Sequence, residues 1–160
     1  GYLDFLLIDL PPGTGDIHLS IINELRIGGA IIISTPQQVA VADVVRGVEM
    51  FRNPNVNIPV LGVVENMAWF TPAELPNNRY YIFGKGGAKR YAEEVGVDLL
   101  GEVPIIQDIM QGADDGNPAV NTHPQVAEVY QQIAKKVGYG HLFWVFSLPL
   151  LFARTDSSIF

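Results

Sequence analysis

The stretch Leu6-Leu7-Ile8-Asp9-Leu10-Pro11-Pro12-Gly13-Thr14-Gly15-Asp16 holds the residues whose types and spacing best suit chemistry. An apolar run ends in an acid, and a turn of prolines and glycines follows at once. A carboxylate at the end of a buried strand faces the crevice where α/β sheets bind ligands. There it can hold Mg2+, usually through water, beside the β- and γ-phosphates of a nucleotide. The Pro-Pro-Gly-Thr-Gly turn can bring backbone N–H groups close to a phosphate, because glycine imposes no Cβ. Such a turn can also change conformation when the phosphate leaves. The competing reading is a strand followed by an ordinary tight turn, with Asp9 and Asp16 as solvated acids.

Elements that would position this turn can be read along the chain. Tyr2 to Leu10 is almost wholly apolar, as expected of a strand buried on both faces in a parallel sheet. Asp16 to Leu25 reads as a helix with Asp16 as its N-cap. Ala30 to Ser34 reads as a second buried strand, and Val60 to Val64 as a third. Between them Val41, Val44, Val45, Val48 and Phe51 share one helical face, which predicts an amphipathic helix from Val39 to Arg52. Thr71 to Ile82, with two prolines and paired asparagines, reads as a long loop. Ala88, Tyr91, Ala92 and Val95 repeat at helical spacing, with Gly96 as the stop. Leu99 to Val103 is a fourth predicted strand and Gly112 to His123 a loop. Pro124 opens a last helix with Val126, Val129, Tyr130, Ile133 and Val137 inward. Strands alternating with helices predict an α/β fold, a doubly wound, mainly parallel sheet with flanking helices.

Bulk properties narrow the function. The chain has 160 residues, 48% of them apolar, enough for one domain with a real core. Its net charge of -7 argues against a nucleic-acid partner, which would need clustered Lys and Arg. Without any cysteine, the chain itself can form no disulfide and offer no thiolate to a metal cluster. No signal segment is visible, so a cytoplasmic location is expected. His18, His123 and His141 are scattered without metal-ligand spacing and are expected to be surface or capping residues.

The ends break the pattern. The chain starts with Gly1 and Tyr2 already belongs to a strand, so a fragment or truncated product is expected. Residues 1–137 read as one α/β domain, incomplete at its start, and 138–160 as an atypical hydrophobic tail. Leu142 to Phe152 is apolar and aromatic, broken by Pro149, and too short for a bilayer, which takes ~20 apolar residues. A membrane role is therefore not expected. The tail is read as frame-shifted sequence after Val137, with a packed segment or interfacial anchor as the alternatives.

Asp9 to Asp16 closely resembles the switch segment of the Mrp/ApbC family of deviant-Walker P-loop ATPases. The resemblance continues through Ser34-Thr35-Pro36-Gln37, Gly47-Val48-Glu49-Met50-Phe51 and Val63-Val64-Glu65-Asn66-Met67. It extends to Phe83-Gly84-Lys85-Gly86-Gly87-Ala88 and Leu100-Gly101-Glu102-Val103-Pro104. Six matches in family order cover about residues 2 to 137. The resemblance implies a MinD/ParA-like fold and a dimeric carrier that uses ATP and Mg2+ in iron–sulfur cluster assembly, with client or scaffold proteins as partners. It implies that Asp9 is the catalytic acid associated with Mg2+ and that Pro11, Pro12, Gly13 and Thr14 sense the γ-phosphate. It further implies that Asn66, at the third strand's end, hydrogen-bonds the adenine, and that Pro104 walls the base. An amide carries both a donor and an acceptor, which suits an adenine edge; the competing reading of Asn66 is a loop residue capping a turn.

Two departures qualify the resemblance. The family's phosphate loop is expected upstream of Gly1, so the 160-residue chain alone is expected to be inactive. Gly84 to Lys89 mimics that loop superficially, but its spacing fails and Arg90 stands where a hydroxyl is wanted; it reads as a turn before a helix. The interval from Ala68 to Ile82 also lacks the Cys-x-x-Cys pair that many members use to bridge a cluster across the dimer. Two rival readings stand beside the carrier: a non-catalytic fragment or dimerisation module, and a MinD/ParA-like positioning ATPase. The sheet is also expected to lack a strand beside Tyr2 to Leu10, which would leave backbone groups unpaired there.

Overall fold

The computed structural model describes residues 6–11, 15–138 and 150–153, the last four by their backbone. Element order is β1 (Leu6–Asp9), α1 (Asp16–Glu24), β2 (Ile27–Ser34), α2 (Gln38–Arg52), β3 (Val60–Phe70), α3 (Gly87–Val95), β4 (Leu99–Ile105), α4 (Gln107–Asp114), a 3-10 turn (Ala119–Asn121), α5 (Pro124–Gly138) and β5 (Leu150–Ala153). The strands form one sheet in the order β1-β5-β2-β3-β4. β2, β3 and β4 pair in parallel, whereas β5 runs antiparallel to both β1 and β2.

Side-chain alternation along the strands divides the core into two layers. Ala30, Ile32 and Val63 pack against Val44, Val48 and Phe51 of α2 and Ala88, Tyr91 and Ala92 of α3. Ile31, Val64, Leu100 and Val103 face the other way, against Val126, Tyr130, Ile133 and Val137 of α5. Helices thus cover both faces, which is why β2 and β3 read as continuous apolar runs. The expected doubly wound α/β fold is the fold observed.

Several boundaries differ from expectation. β3 runs to Phe70 rather than ending at Val64, because Phe70 exchanges backbone hydrogen bonds with Tyr80 across the following loop. Residues 112–114 are not loop but the last turn of α4, and Ala119–Asn121 forms a 3-10 turn. Gly112 conceals that helix end; it sits where a Cβ would collide with the Asn117 carbonyl, so packing has overridden helix propensity. Asp16 is the first helical residue of α1 rather than its N-cap, a place taken by Gly15 without a side-chain hydrogen bond. Its charge still lies in the first turn, where it complements the helix dipole. Gly96 ends α3 in the left-handed conformation, as expected.

The chief topological difference lies beside β1. The place where unpaired backbone was expected is filled by β5, drawn from the tail. Tyr2, the switch residues Pro12 to Thr14 and His141 lie outside the described residues. No helix among the described residues is long and apolar enough to cross a membrane.

Candidate functional site

β1 runs parallel to β2, because both oppose β5; hence β1, β2, β3 and β4 all present their carboxyl ends at one edge of the sheet. Asp9 is the last residue of β1, exposed at that edge. Desolvation by its partial burial pushes its carboxyl above the usual carboxylate range. The cause is loss of water rather than a like charge, so a cation brought beside it would draw the pKa back down. Pro11 is exposed just beyond.

Asn66 and Pro104 meet at the other side of the edge. Asn66 pairs in register with Val103, the neighbour of Pro104, and both Asn66 and Pro104 are half-buried. β4 is the edge strand, where a proline without an N–H is tolerated. Asn66 is not the end of β3, as the sequence reading had it, but it is where the regular ladder breaks. The next registered pair is Phe70 with Ile105, so four residues of β3 advance against two of β4. Met67 absorbs the mismatch with φ of 56°, a left-handed conformation that a non-glycine residue adopts only under strain. Three strand spacings, about 14 Å, separate the Asp9 and Asn66 strands laterally. Asp9 therefore shares one edge with Asn66 and Pro104 without touching them.

Next to Asn66 on β3 lies an arrangement that the sequence reading missed. Glu65 has no solvent exposure, yet it carries a carboxylate. Its Oε2 accepts a hydrogen bond from the Ala88 N–H at 2.7 Å and its Oε1 one from the Gly86 N–H at 3.2 Å. These are orphan donors at the N-terminus of α3, whose N-cap Gly86 is left-handed and supplies no side-chain cap. The carboxylate also meets the positive end of the helix dipole. Gly87 lies so close to the Pro36 carbonyl that a Cβ there would collide with backbone. The glycine pair is thus a close-packed turn before a helix, as expected. The Gly86 and Ala88 N–H groups are turned to Glu65 and are thereby withdrawn from any phosphate. An acid within a buried apolar strand, some twenty residues before a Gly-Gly helix start, was the available signal.

The histidines divide. His123 is half-buried just before α5, 4.0 Å from Asp108. His18, expected at the surface or as a cap, is instead 2% exposed in α1. Neither of its ring nitrogens has a hydrogen-bond partner among the described residues. It shares a helical face with Ile21 and Ile22, which pack on the core, while Ile17 is 59% exposed. No cluster of three or more His, Cys, Asp or Glu suited to a metal occurs among the described residues.

Comparison with known proteins places this geometry. The "Iron-sulfur cluster carrier protein" of Aquifex aeolicus is 47% identical over 138 residues, covering 84% of this chain and 37% of that protein. The "Iron-sulfur protein required for NADH dehydrogenase, mitochondrial" of Arabidopsis thaliana is 46% identical over 142 residues, covering 88% of this chain and 44% of that protein. The chain thus spans less than half the length of these relatives. Among solved structures, a nucleotide-binding protein of Archaeoglobus fulgidus in complex with ADP superposes with a TM-score of 0.64 at 40% identity, over 72% of this chain and 46% of that one. The MinC:MinD cell division complex of Aquifex aeolicus matches at a TM-score of 0.50 and 12% identity, a likeness of fold alone. The family model described as NUBPL iron-transfer P-loop NTPase, of the ParA group, matches residues 1–138. The chain belongs to this family of iron-transfer P-loop NTPases.

Proposed function

We propose that the chain is part of an ATP-binding and ATP-hydrolysing carrier that delivers iron–sulfur clusters during their assembly into client proteins. The observation that carries this reading is Asp9, an acid at the carboxyl edge of the sheet, in a chain of an iron-transfer NTPase family. A single exposed carboxylate suits Mg2+, which keeps most of its waters and borrows further ligands from phosphates. Asp9 would hold that hydrated ion, and the ion, when bound with nucleotide, supplies charge neutralisation at the phosphates. Asn66 offers an acceptor and a donor to an adenine edge, and Pro104 an apolar wall beside it. Pro11, Pro12, Gly13 and Thr14 form the segment that responds to the γ-phosphate. The separation of Asp9 from Asn66 leaves room for base and terminal phosphate at opposite ends of one crevice.

The carrier works as a homodimer in the cytoplasm, with the cluster as cargo. The 160 residues contain no cysteine, so they lend no thiolate to that cargo. Reconstitution of this chain with iron and sulfide should therefore leave no stable cluster; a persistent charge-transfer band would contradict this. They also contain no phosphate loop, whose lysine and backbone cradle supply much of the positioning in phosphoryl transfer. The chain by itself should show no ATP turnover above background, whereas a longer polypeptide that adds a phosphate loop should hydrolyse ATP slowly. Steady-state phosphate release from both, with and without Mg2+, tests the reading. Turnover by the 160 residues alone, or none by the longer protein, would overturn it.

A further inference from the structure

The segment from Leu75 to Ala92 departs from the rest of the chain in charge. It carries Arg79, Lys85, Lys89 and Arg90 and neither Asp nor Glu, in a chain of 10 basic and 17 acidic residues. All four cations are exposed. None of them joins an ion pair among the described residues, where Arg46 pairs with Asp43 and His123 with Asp108. Leu75, Tyr80, Tyr81 and Ile82 are interleaved with them in sequence and are also exposed, Ile82 to 60%.

This surface is held in place by contacts of its own. Phe70 and Tyr80 each donate a backbone hydrogen bond to the other at 2.8 Å, which closes the loop between them. The Arg79 guanidinium lies 4.2 Å from the centre of the Trp69 ring, and Lys85 Nζ 4.8 Å from that of Tyr81. Arg90 Nη1 donates to the Lys85 carbonyl at 2.7 Å. Glu65 fastens the far end through the Gly86 and Ala88 N–H groups. Side chains already held lose less freedom when a partner binds.

The chemistry selects the partner. A guanidinium over a ring keeps its N–H edge for a carboxylate. The helix-start N–H groups of Gly86 and Ala88, which would suit a phosphate, are taken by Glu65. Trp69 and Tyr81 already carry a cation on one face, which leaves less ring for a nucleobase to stack on. An extended polyanion would also run past the patch onto a chain of net charge -7. A short acidic segment meets only the patch, because charges are felt over about 8 Å at physiological salt. Tyr80, Tyr81 and Ile82 among the cations call for apolar side chains among the partner's acids.

We propose that residues 75–90 form a docking surface for an acidic segment of a partner protein, with Arg79, Lys85, Lys89 and Arg90 receiving its carboxylates and Tyr80, Tyr81 and Ile82 covering its apolar side chains. Docking of this kind depends on contacts within residues 65–92 and holds whatever nucleotide the site takes.

Fluorescence anisotropy of a labelled, end-blocked dodecapeptide of glutamate, leucine and serine tests this on the full chain. The peptide should bind, and raising salt from about 0.05 to 0.5 M should weaken it at least ~10-fold. Lys85→Glu/Lys89→Glu should weaken it at least ~10-fold, while the same charge change on α5, Lys135→Glu/Lys136→Glu, should alter affinity less than ~3-fold. Tyr80→Ala/Ile82→Ala should weaken it at least ~5-fold with the charges intact. Circular dichroism checks each fold; should the reversals unfold, Lys85→Gln/Lys89→Gln should still weaken binding where Lys135→Gln/Lys136→Gln does not. No binding, equal losses from the two lysine pairs, or no loss from the apolar pair would each overturn the proposal. An oligothymidylate that binds more tightly than the peptide and is lost in the same variants would overturn it in favour of a nucleic acid. The longer protein carrying a phosphate loop should bind the peptide as this chain does; failure there would show the surface covered and would overturn it too.

Discussion

Replacing Glu65 probes how the carboxyl edge is held together. In the native chain the two carboxylate oxygens satisfy the N–H groups of Gly86 and Ala88 at the start of α3. Glu65→Gln keeps one acceptor oxygen and turns an NH2 group toward the other N–H. The abandoned donor is buried, and leaving it unpaired costs about 1–3 kcal/mol. The surviving bond weakens from charge-assisted to neutral, about 1 kcal/mol. Loss of the charge at the helix N-terminus removes roughly 0.3–2 kcal/mol more. Against these stands a gain, because a neutral amide is easier to bury than a carboxylate. The balance is a destabilisation of about 2 kcal/mol. Glu65→Ala abandons both donors and leaves a cavity, so about 4 kcal/mol is expected.

For a chain of this size each kcal/mol lowers Tm by about 2–4 °C. Glu65→Gln should therefore melt roughly 4–8 °C below the native chain, and Glu65→Ala roughly twice as far below. Thermal unfolding by far-ultraviolet circular dichroism measures both, and hydrogen exchange at Ala88 localises the effect to the start of α3. A Glu65→Gln protein as stable as the native one would refute the reasoning, because the desolvation gain would then equal the lost bonds. A Glu65→Ala variant no worse than Glu65→Gln would refute it too, by showing that the second acceptor contributes nothing.

Three further outcomes are expected. Gly87→Ala should destabilise by about 1–3 kcal/mol, since its Cβ meets the Pro36 backbone, whereas Gly15→Ala, with open space around it, should change Tm little; equal effects in denaturant titrations would contradict the close approach. Asp9→Asn should remove most ATP turnover from a longer protein carrying the phosphate loop while leaving the fold intact. Because burial raises the Asp9 pKa, the fold favours its protonated form: that contribution is full below the unfolded value of 3.8 and is lost as pH rises through the folded value. The variant should therefore equal or slightly exceed the native chain in Tm at neutral pH, with the difference vanishing under acid; a variant clearly less stable at neutral pH would reverse the sign. His18→Leu should match or exceed native stability, because it removes two buried nitrogens that have no partner among the described residues; a large loss in Tm would mean that the imidazole is bonded after all.

Much of this architecture was legible because burial on both faces leaves strong marks. β2 and the core of β3 stand out as apolar runs, and α2 and α5 as helical stripes, since each packs against a single sheet face. Asp9 was legible for the same reason: an acid that ends such a run must lie at the sheet edge. The misses share a different cause. β3 continues to Phe70 only because the loop returns Tyr80 to it, a contact that local pattern cannot encode. The cap of α3 comes from a residue over twenty positions away, whereas sequence rules look for a cap beside the helix. His18 looked like a surface residue because its polar ring does not mark a core position, yet it lies on the inward face of α1 with Ile21 and Ile22. β5 was hidden because its composition says only that it is apolar; its place depends on a gap created by strand order.

The alternation of β3 links the anchor to the proposed base site. Val63 faces α2 and α3, and Val64 faces α5. Glu65 follows Val63 toward α3, as its hydrogen bonds require, and Asn66 must then turn to the α5 side. The ladder breaks at the next residue, Met67, so no regular pairing beyond Asn66 fixes its orientation. What fixes it is the preceding residue, held at two points on α3. Loss of those two bonds would free Asn66 to rotate where its ladder breaks, so Glu65→Ala should weaken adenine-nucleotide binding by the longer protein without touching the nucleotide. Weakened binding of ATP with unchanged binding of free pyrophosphate would follow from that geometry. Equal losses for both would mean that Glu65 supports the fold generally rather than orienting its neighbour.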